Sequence, residues 1–182
     1  MTKKSEQNYI EKLYMGVGQF AVSYENLFEI LRYLLWTCLK KSGMKNSAVS
    51  WHMISGLEGH ALIETVINVL SEMYCDPHEL RKPNKNSSSF QKKLNDLRNK
   101  LMALNQQRVI HVHAAWLCFA TPDGAIMQNK YYGVKTGRSK RTTVDHNLDQ
   151  FEKDASKCAE LAGEILKMKA AIEKRKNPLK II

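Results

Sequence analysis

Arg108 and His113 are the residues whose types and spacing lend themselves most directly to chemistry. They lie in Asn105-Gln106-Gln107-Arg108-Val109-Ile110-His111-Val112-His113-Ala114-Ala115-Trp116, an arginine separated from a histidine by four residues. Arginine is permanently charged, and its planar fork matches phosphate oxygens. Histidine can take a proton from one oxygen and give one to another near neutral pH. Such a pair suits phosphodiester cleavage and needs no metal ion or other cofactor. Asn105, Gln106 and Gln107 could add hydrogen bonds to a substrate.

A helix complicates the pairing. Five residues turn through ~500°, which leaves Arg108 and His113 ~140° apart. They converge only if the helix frays, bulges or ends there, or if Arg108 reaches round. His111, three residues on, shares the face of Arg108 and is a rival for the chemistry. Either histidine could instead be a core or cap residue.

The elements that must position these groups read as helices. Phe20, Tyr24, Leu27, Leu31, Leu34 and Cys38 recur at steps of four and three, which predicts one helix from about Ser5 to Lys41, closed by Ser42-Gly43. A second helix is expected from Ser47 to Tyr74, with Ile54, Leu57, Ala61, Leu62, Val66, Val69 and Met73 inward. Gly56 and Gly59 weaken its middle, and Asp76-Pro77 breaks it. Residues 82–89 read as a loop. Phe90, Leu94, Leu97, Leu101 and Leu104 predict a third long helix, whose rhythm continues onto Arg108 and His111. After a non-helical stretch, Leu148, Phe151, Ala155, Cys158, Ala162, Ile165 and Ile172 predict the last helix. The basic tail, about 174–182, is expected to fray.

Between the last two helices the pattern changes. Thr121-Pro122-Asp123-Gly124 is a turn sequence between apolar and aromatic runs, which predicts a short β-hairpin turning at Pro122-Asp123-Gly124. Residues Arg138 to Val144 could add a third strand. Lys130, Lys135, Arg138, Lys140 and Arg141 stand close together with Tyr131 and Tyr132. Cations hold phosphates and rings stack on unpaired bases, so this mixture suits single-stranded RNA. The same residues would equally serve as a solvated basic face with one tyrosine on the core.

Composition narrows the classes. The 28 Lys+Arg against 18 Asp+Glu give a formal charge of +10, which favours polyanionic partners, nucleic acid first. A chain of 182 residues, 43% of them hydrophobic, can bury one sizeable core, so a single domain over 1–182 is expected. The expected fold class is mainly all-α, a four-to-five-helix up-down bundle with the hairpin before the last helix. No stretch approaches the ~20 apolar residues that span a membrane. The scattered Cys38, Cys75, Cys118 and Cys158 form no Cys-x-x-Cys pair, and free buried thiols in a reducing cytoplasm are expected. His111-x-His113 with Cys118 lacks a fourth ligand at standard spacing, so no metal site is expected. There is no Walker loop and no Gly-x-Ser-x-Gly elbow. Asp76-Pro77-His78-Glu79 reads as a turn, and Glu25 as a packing residue.

Three stretches resemble the HEPN superfamily, small helical proteins many of which are metal-independent ribonucleases. Gly18-Gln19-Phe20-Ala21-Val22-Ser23-Tyr24-Glu25 is similar to the first-helix signature, Leu97-Arg98-Asn99-Lys100-Leu101 leads toward the active-site motif, and Arg108 to His113 followed by Trp116 resembles the motif itself. The resemblance implies a homodimer with the two motifs facing one groove. It implies cleavage of single-stranded RNA by 2′-hydroxyl attack, in the service of a toxin or phage-defence effector with a cognate antitoxin or regulatory protein. Two departures, Val109 after the arginine and Ala114 after the histidine, favour an alternative: a catalytically inactive HEPN-like module that binds or scaffolds nucleic acid or nucleotide. A partner subunit of a two-gene system is a further alternative.

Overall fold

The computed structural model describes residues 3–75, 89–112, 126–132, 140–146 and 148–174. Among them the order is α1 (Lys3–Lys41), α2 (Ser47–Ser55), α3 (Gly59–Tyr74), α4 (Ser89–Val112), β1 (Ile126–Tyr132), β2 (Lys140–His146) and α5 (Leu148–Lys174). The described chain is therefore mainly α-helical. None of its helices is long and apolar enough to cross a membrane.

The apolar stripe of α1 is buried as its spacing requires: Phe20, Tyr24, Leu27, Leu31, Leu34 and Cys38 are each at most 2% exposed. The helix ends on Gly43, whose φ of +100° places it in the region that favours glycine. The Gly43 amide bonds Lys40 O at 3.2 Å and the Met44 amide bonds Leu39 O at 3.1 Å. That pair of bonds is the Schellman closure, which satisfies carbonyls the helix would otherwise leave open.

The second predicted helix is two helices. Asn46 caps α2, its side-chain oxygen accepting from the Val49 amide at 3.1 Å. The segment then stops at Gly56, and the Leu57 amide folds back to Ile54 O at 2.9 Å. Gly59, at φ +47°, starts α3. The two glycines thus break the helix rather than merely weaken it. Arg32 of α1 donates to Leu57 O at 3.3 Å and to Glu29 Oε2 at 3.0 Å, fixing the break. The restart also rotates the inward face of α3, which buries Leu62, Ile63, Val66, Ile67, Leu70 and Tyr74. Ala61 is exposed, and Val69 and Met73 are only half-buried.

Helix α4 buries Leu94, Leu97, Leu101 and Leu104, and its half-buried Phe90 meets Tyr74 at a ring separation of 6.1 Å. Helix α5 buries Phe151, Asp154, Cys158, Leu161, Ile165 and Ile172, so its inward line runs through an aspartate rather than through Ala155.

An antiparallel strand pair precedes the last helix among the described residues. Strand β1 pairs antiparallel with β2, with Ile126 opposite His146 and Tyr132 opposite Lys140. Residues 133–139 link the two strands in sequence, and the expected turn at Pro122-Asp123-Gly124 lies, with the rest of 113–125, outside the described residues. Strand β2 falls largely on Arg138 to Val144, the stretch expected as a possible third strand.

The chain forms two compact units, one of Met1–Tyr24 with Gln106–Lys157 and one of Glu25–Asn105 with Cys158–Ile182. In the first, Leu13 packs on Phe151, with Val17 and Leu148 against them. An ideal Cβ on Gly16 would lie 3.2 Å from Phe151 Cβ, so glycine allows the close approach there. In the second, the core is drawn from the remainder of α1, α3, the first part of α4 and the remainder of α5. It includes the thiols of Cys38, Cys75 and Cys158. Burial pushes the Cys38 thiol up to about 12, which keeps it protonated and unreactive. The Cys75 thiol donates to Gln91 Oε1 at 2.8 Å.

Candidate active site

Arg108 and His111 leave the last turns of α4 on one face, as their spacing of three requires. Arg108 is half-buried, and its Cζ lies 5.3 Å from the centroid of the Tyr24 ring. That is within reach of a cation–π attraction, which helps to hold the guanidinium. One helical turn earlier on α1, Phe20 meets His111 edge-on, with ring centroids 5.0 Å apart. Phe151 of α5 lies on the imidazole at 4.6 Å.

His111 is fully buried, and its Nε2 lies 3.2 Å from Oδ2 of Asp154, itself 1% exposed. The other oxygen of Asp154 accepts from Gln150 Nε2 and from Lys157 Nζ, each at 2.9 Å. These two donors sit four residues before and three residues after the aspartate, so one face of α5 supplies the whole shell. Burial opposes ionisation of Asp154, but the bonds from Gln150, Lys157 and His111 outweigh it and hold its pKa below the ordinary 3.8. Burial likewise pushes His111 below its ordinary 6.5, and Asp154 offsets this only in part. The pair is therefore a neutral imidazole on a carboxylate. A carboxylate only accepts, so His111 Nε2 carries the proton and donates it to Asp154.

The remaining sequence-predicted residues fall in different places. Asn105 and Gln107 are half-buried on α4. Asn105 belongs to the second unit, where its side-chain oxygen would lie 3.1 Å from a Cβ built on Gly59. His113, Lys135 and Arg138 lie outside the described residues. Lys130, Tyr131 and Tyr132 are on β1, and Lys140 and Arg141 are on β2. The strand register sets Lys130 opposite Thr142, Tyr131 opposite Arg141 and Tyr132 opposite Lys140.

Sequence reasoning missed Asp154. Its signal was present: counted from Phe151 by three and then four, the stripe reads Phe151, Asp154, Cys158, which places a lone acid on a buried line. The stretch Leu97 to Leu101 contributes surface pairs instead. In the second unit Arg98 binds Glu64, with Nε 2.8 Å from Oε1, and Lys100 reaches Asp96 at 2.8 Å and Glu164 at 3.8 Å. The Arg98 hydrogen bond holds the Glu64 carboxyl below its ordinary range. No protein-family model, no curated protein and no solved structure matches this chain.

Proposed function

We propose that this chain is a HEPN-type endoribonuclease that cleaves single-stranded RNA without a metal ion, with Arg108 and His113 as its catalytic residues. One observation carries the reading. Arg108 is steadied over Tyr24 near the end of α4, while its neighbour His111 is committed to Asp154. A fully buried, neutral imidazole whose proton is already donated has no access to a substrate, so proton transfer falls to His113. The formal charge of +10 and the strand register that sets Tyr131 opposite Arg141 and Tyr132 opposite Lys140 suit an RNA ligand.

In this mechanism the ribose 2′-oxygen bonds to the adjacent phosphorus and the bond from phosphorus to the 5′-oxygen breaks. His113 takes the proton of the 2′-hydroxyl or supplies one to the departing 5′-oxygen. Arg108 offsets the charge that builds on the non-bridging oxygens. The products are a 2′,3′-cyclic phosphate and a 5′-hydroxyl. The enzyme would act as a homodimer and serve as a toxin or phage-defence effector held in check by a cognate protein. Helix α1 supports the dimer, because Tyr14, Met15 and Val22 are each about three-fifths exposed on it, at 63%, 59% and 63%.

The deciding experiment is incubation of purified protein with single-stranded RNA and single-stranded DNA in EDTA. RNA is cut to 2′,3′-cyclic phosphate ends and DNA survives; intact RNA at high protein concentration removes the proposal. A second reading is a module that binds nucleic acid without cutting it. Val109, 40% exposed beside Arg108 where a polar residue would be expected, favours it. Salt-dependent RNA binding without cleavage would select that reading.

A further inference from the structure

Within the second unit, the end of α1 and the start of α2 enclose a cleft of about 300 Å³ lined by Tyr33, Trp36, Ser47, Ala48 and Trp51. Its wall is aromatic: the Tyr33 and Trp51 rings lie 5.3 Å apart at 35°, and Tyr33 is 44% exposed. Trp36 continues the wall into an adjoining recess of about 250 Å³ with Thr37, Lys40, Lys41 and Glu173. Lys40 Nζ stands 4.4 Å over the Trp36 ring. The Glu173 carboxylate is taken up by Lys169 at 2.7 Å, and its carbonyl by Lys41 Nζ at 3.0 Å. The acid in this recess is thus already neutralised, and the cation over the tryptophan sets the local sign.

We propose that Tyr33, Trp36 and Trp51, with Lys40, form a stacking subsite for an unpaired base of single-stranded RNA. The flat rings offer a π-face to a base of any identity, and Lys40 stands where a neighbouring phosphate can meet it. The Trp36 Nε1–H is buried with no hydrogen-bond partner among the described residues. Charge selects the occupant. Aromatic clefts of this kind also take proline-rich peptides, but those gain nothing from a lysine on a chain with a formal charge of +10. The subsite rests on the reading of this chain as one that handles single-stranded RNA, and it adds residues that would hold the strand to those that would cut it.

The test is fluorescence anisotropy with a 2′-O-methylated single-stranded RNA, which cannot be cut by 2′-hydroxyl attack, at about 50 mM salt. Tyr33→Ala and Trp51→Ala each weaken binding by about fivefold or more, up to about a hundredfold. Tyr33→Phe, which keeps the ring, binds like the parent. Lys40→Gln lowers the slope of log affinity against log salt by ~0.7, as loss of one phosphate contact on a single strand should. Equal affinity for the parent, Tyr33→Ala and Trp51→Ala overturns the subsite, as does absence of binding by the parent. A proline-rich peptide that binds through Tyr33 and Trp51 and that RNA cannot displace overturns it in favour of a peptide groove. A parallel assay on unmodified RNA separates the two proposals. Binding through Tyr33 without cleavage keeps the subsite and removes the nuclease, whereas cleavage with binding indifferent to Tyr33 does the reverse.

Discussion

His111 donates through Nε2 to the carboxylate of Asp154 across 3.2 Å, with both side chains out of contact with water. The bond joins the end of α4 to the second turn of α5, and Phe20 and Phe151 enclose the imidazole. An ionised acid in such a place is tolerable only because three donors converge on it.

Removing either partner should be costly. Asp154→Ala leaves the His111 donor buried and unanswered, and should lower unfolding free energy by about 1.5–3 kcal/mol in urea melts, the range for hydrogen bonds to charged groups. A loss under about 0.5 kcal/mol would mean that the pair adds nothing to the fold.

Stability should fall with acid in a window set by this pair. The folded-state pKa of His111 lies below 6.5, so the unfolded chain takes up a proton first as pH drops through 6.5. The stability present above that point is lost as pH falls toward the folded value, at no more than about 1.4 kcal/mol per pH unit. Asp154 has the same sign and adds its loss below 3.8, where the unfolded carboxyl protonates first. Urea melts at pH 7.5, 6.5 and 5.5 should show the decline in the parent chain and a shallower one in His111→Gln. Equal slopes would exclude His111 as the source.

The three residues of the motif region should separate by phenotype. Arg108→Ala should cut ribonuclease rate by on the order of a hundredfold, and His113→Ala by ~10²–10⁴-fold, with melting temperatures near that of the parent. His111→Ala should instead lower the melting temperature markedly. Full stability of His111→Ala with abolished cleavage would reverse the two histidine roles.

Two glycines two residues apart on α1 should respond in opposite directions. Nothing lies within 4 Å of a Cβ on Gly18, so Gly18→Ala should stabilise by about 0.5–1 kcal/mol through helix propensity. On Gly16 the same Cβ meets three atoms of the Phe151 side chain at 3.2–3.3 Å, and that side chain is fully buried. Gly16→Val should therefore destabilise by about 1–3 kcal/mol, as overpacking does. Thermal melts of the two variants settle the matter.

Light scattering at micromolar concentration should give twice the 20.9 kDa chain mass. The double substitution Tyr14→Glu, Val22→Glu places charge on the exposed line of α1 and should return the chain to monomer without unfolding it. A parent that is already monomeric at moderate salt would remove the dimer from the proposed mechanism.

The long helices were legible because their burial is carried by one uninterrupted line. Phe20 to Cys38 and Leu94 to Leu104 have a single sensible register, and that register also put Arg108 beside His111. Where two registers compete, the reading slipped. On α5 an alanine at 155 made the more apolar line and hid Asp154, whose burial depends on donors that periodicity does not weigh. Gly56 and Gly59 were visible as weak points, but whether a helix bends or stops there is decided by Asn46, by Leu57 and by Arg32 reaching from another helix. Pro122-Asp123-Gly124 is a strong local turn signal. It lies outside the described residues, whereas the pairing of Ile126–Tyr132 with Lys140–His146 is non-local and has no turn signal as plain.

Position 59 is fixed twice over. Its φ of +47° suits glycine, and any side chain there would press on Asn105, three residues before Arg108. The break between α2 and α3 is thereby tied to Asn105 on α4. Sequence drift at this one glycine would be felt at a polar residue far along the chain, so a saturation library selected for function should leave position 59 among its most invariant sites.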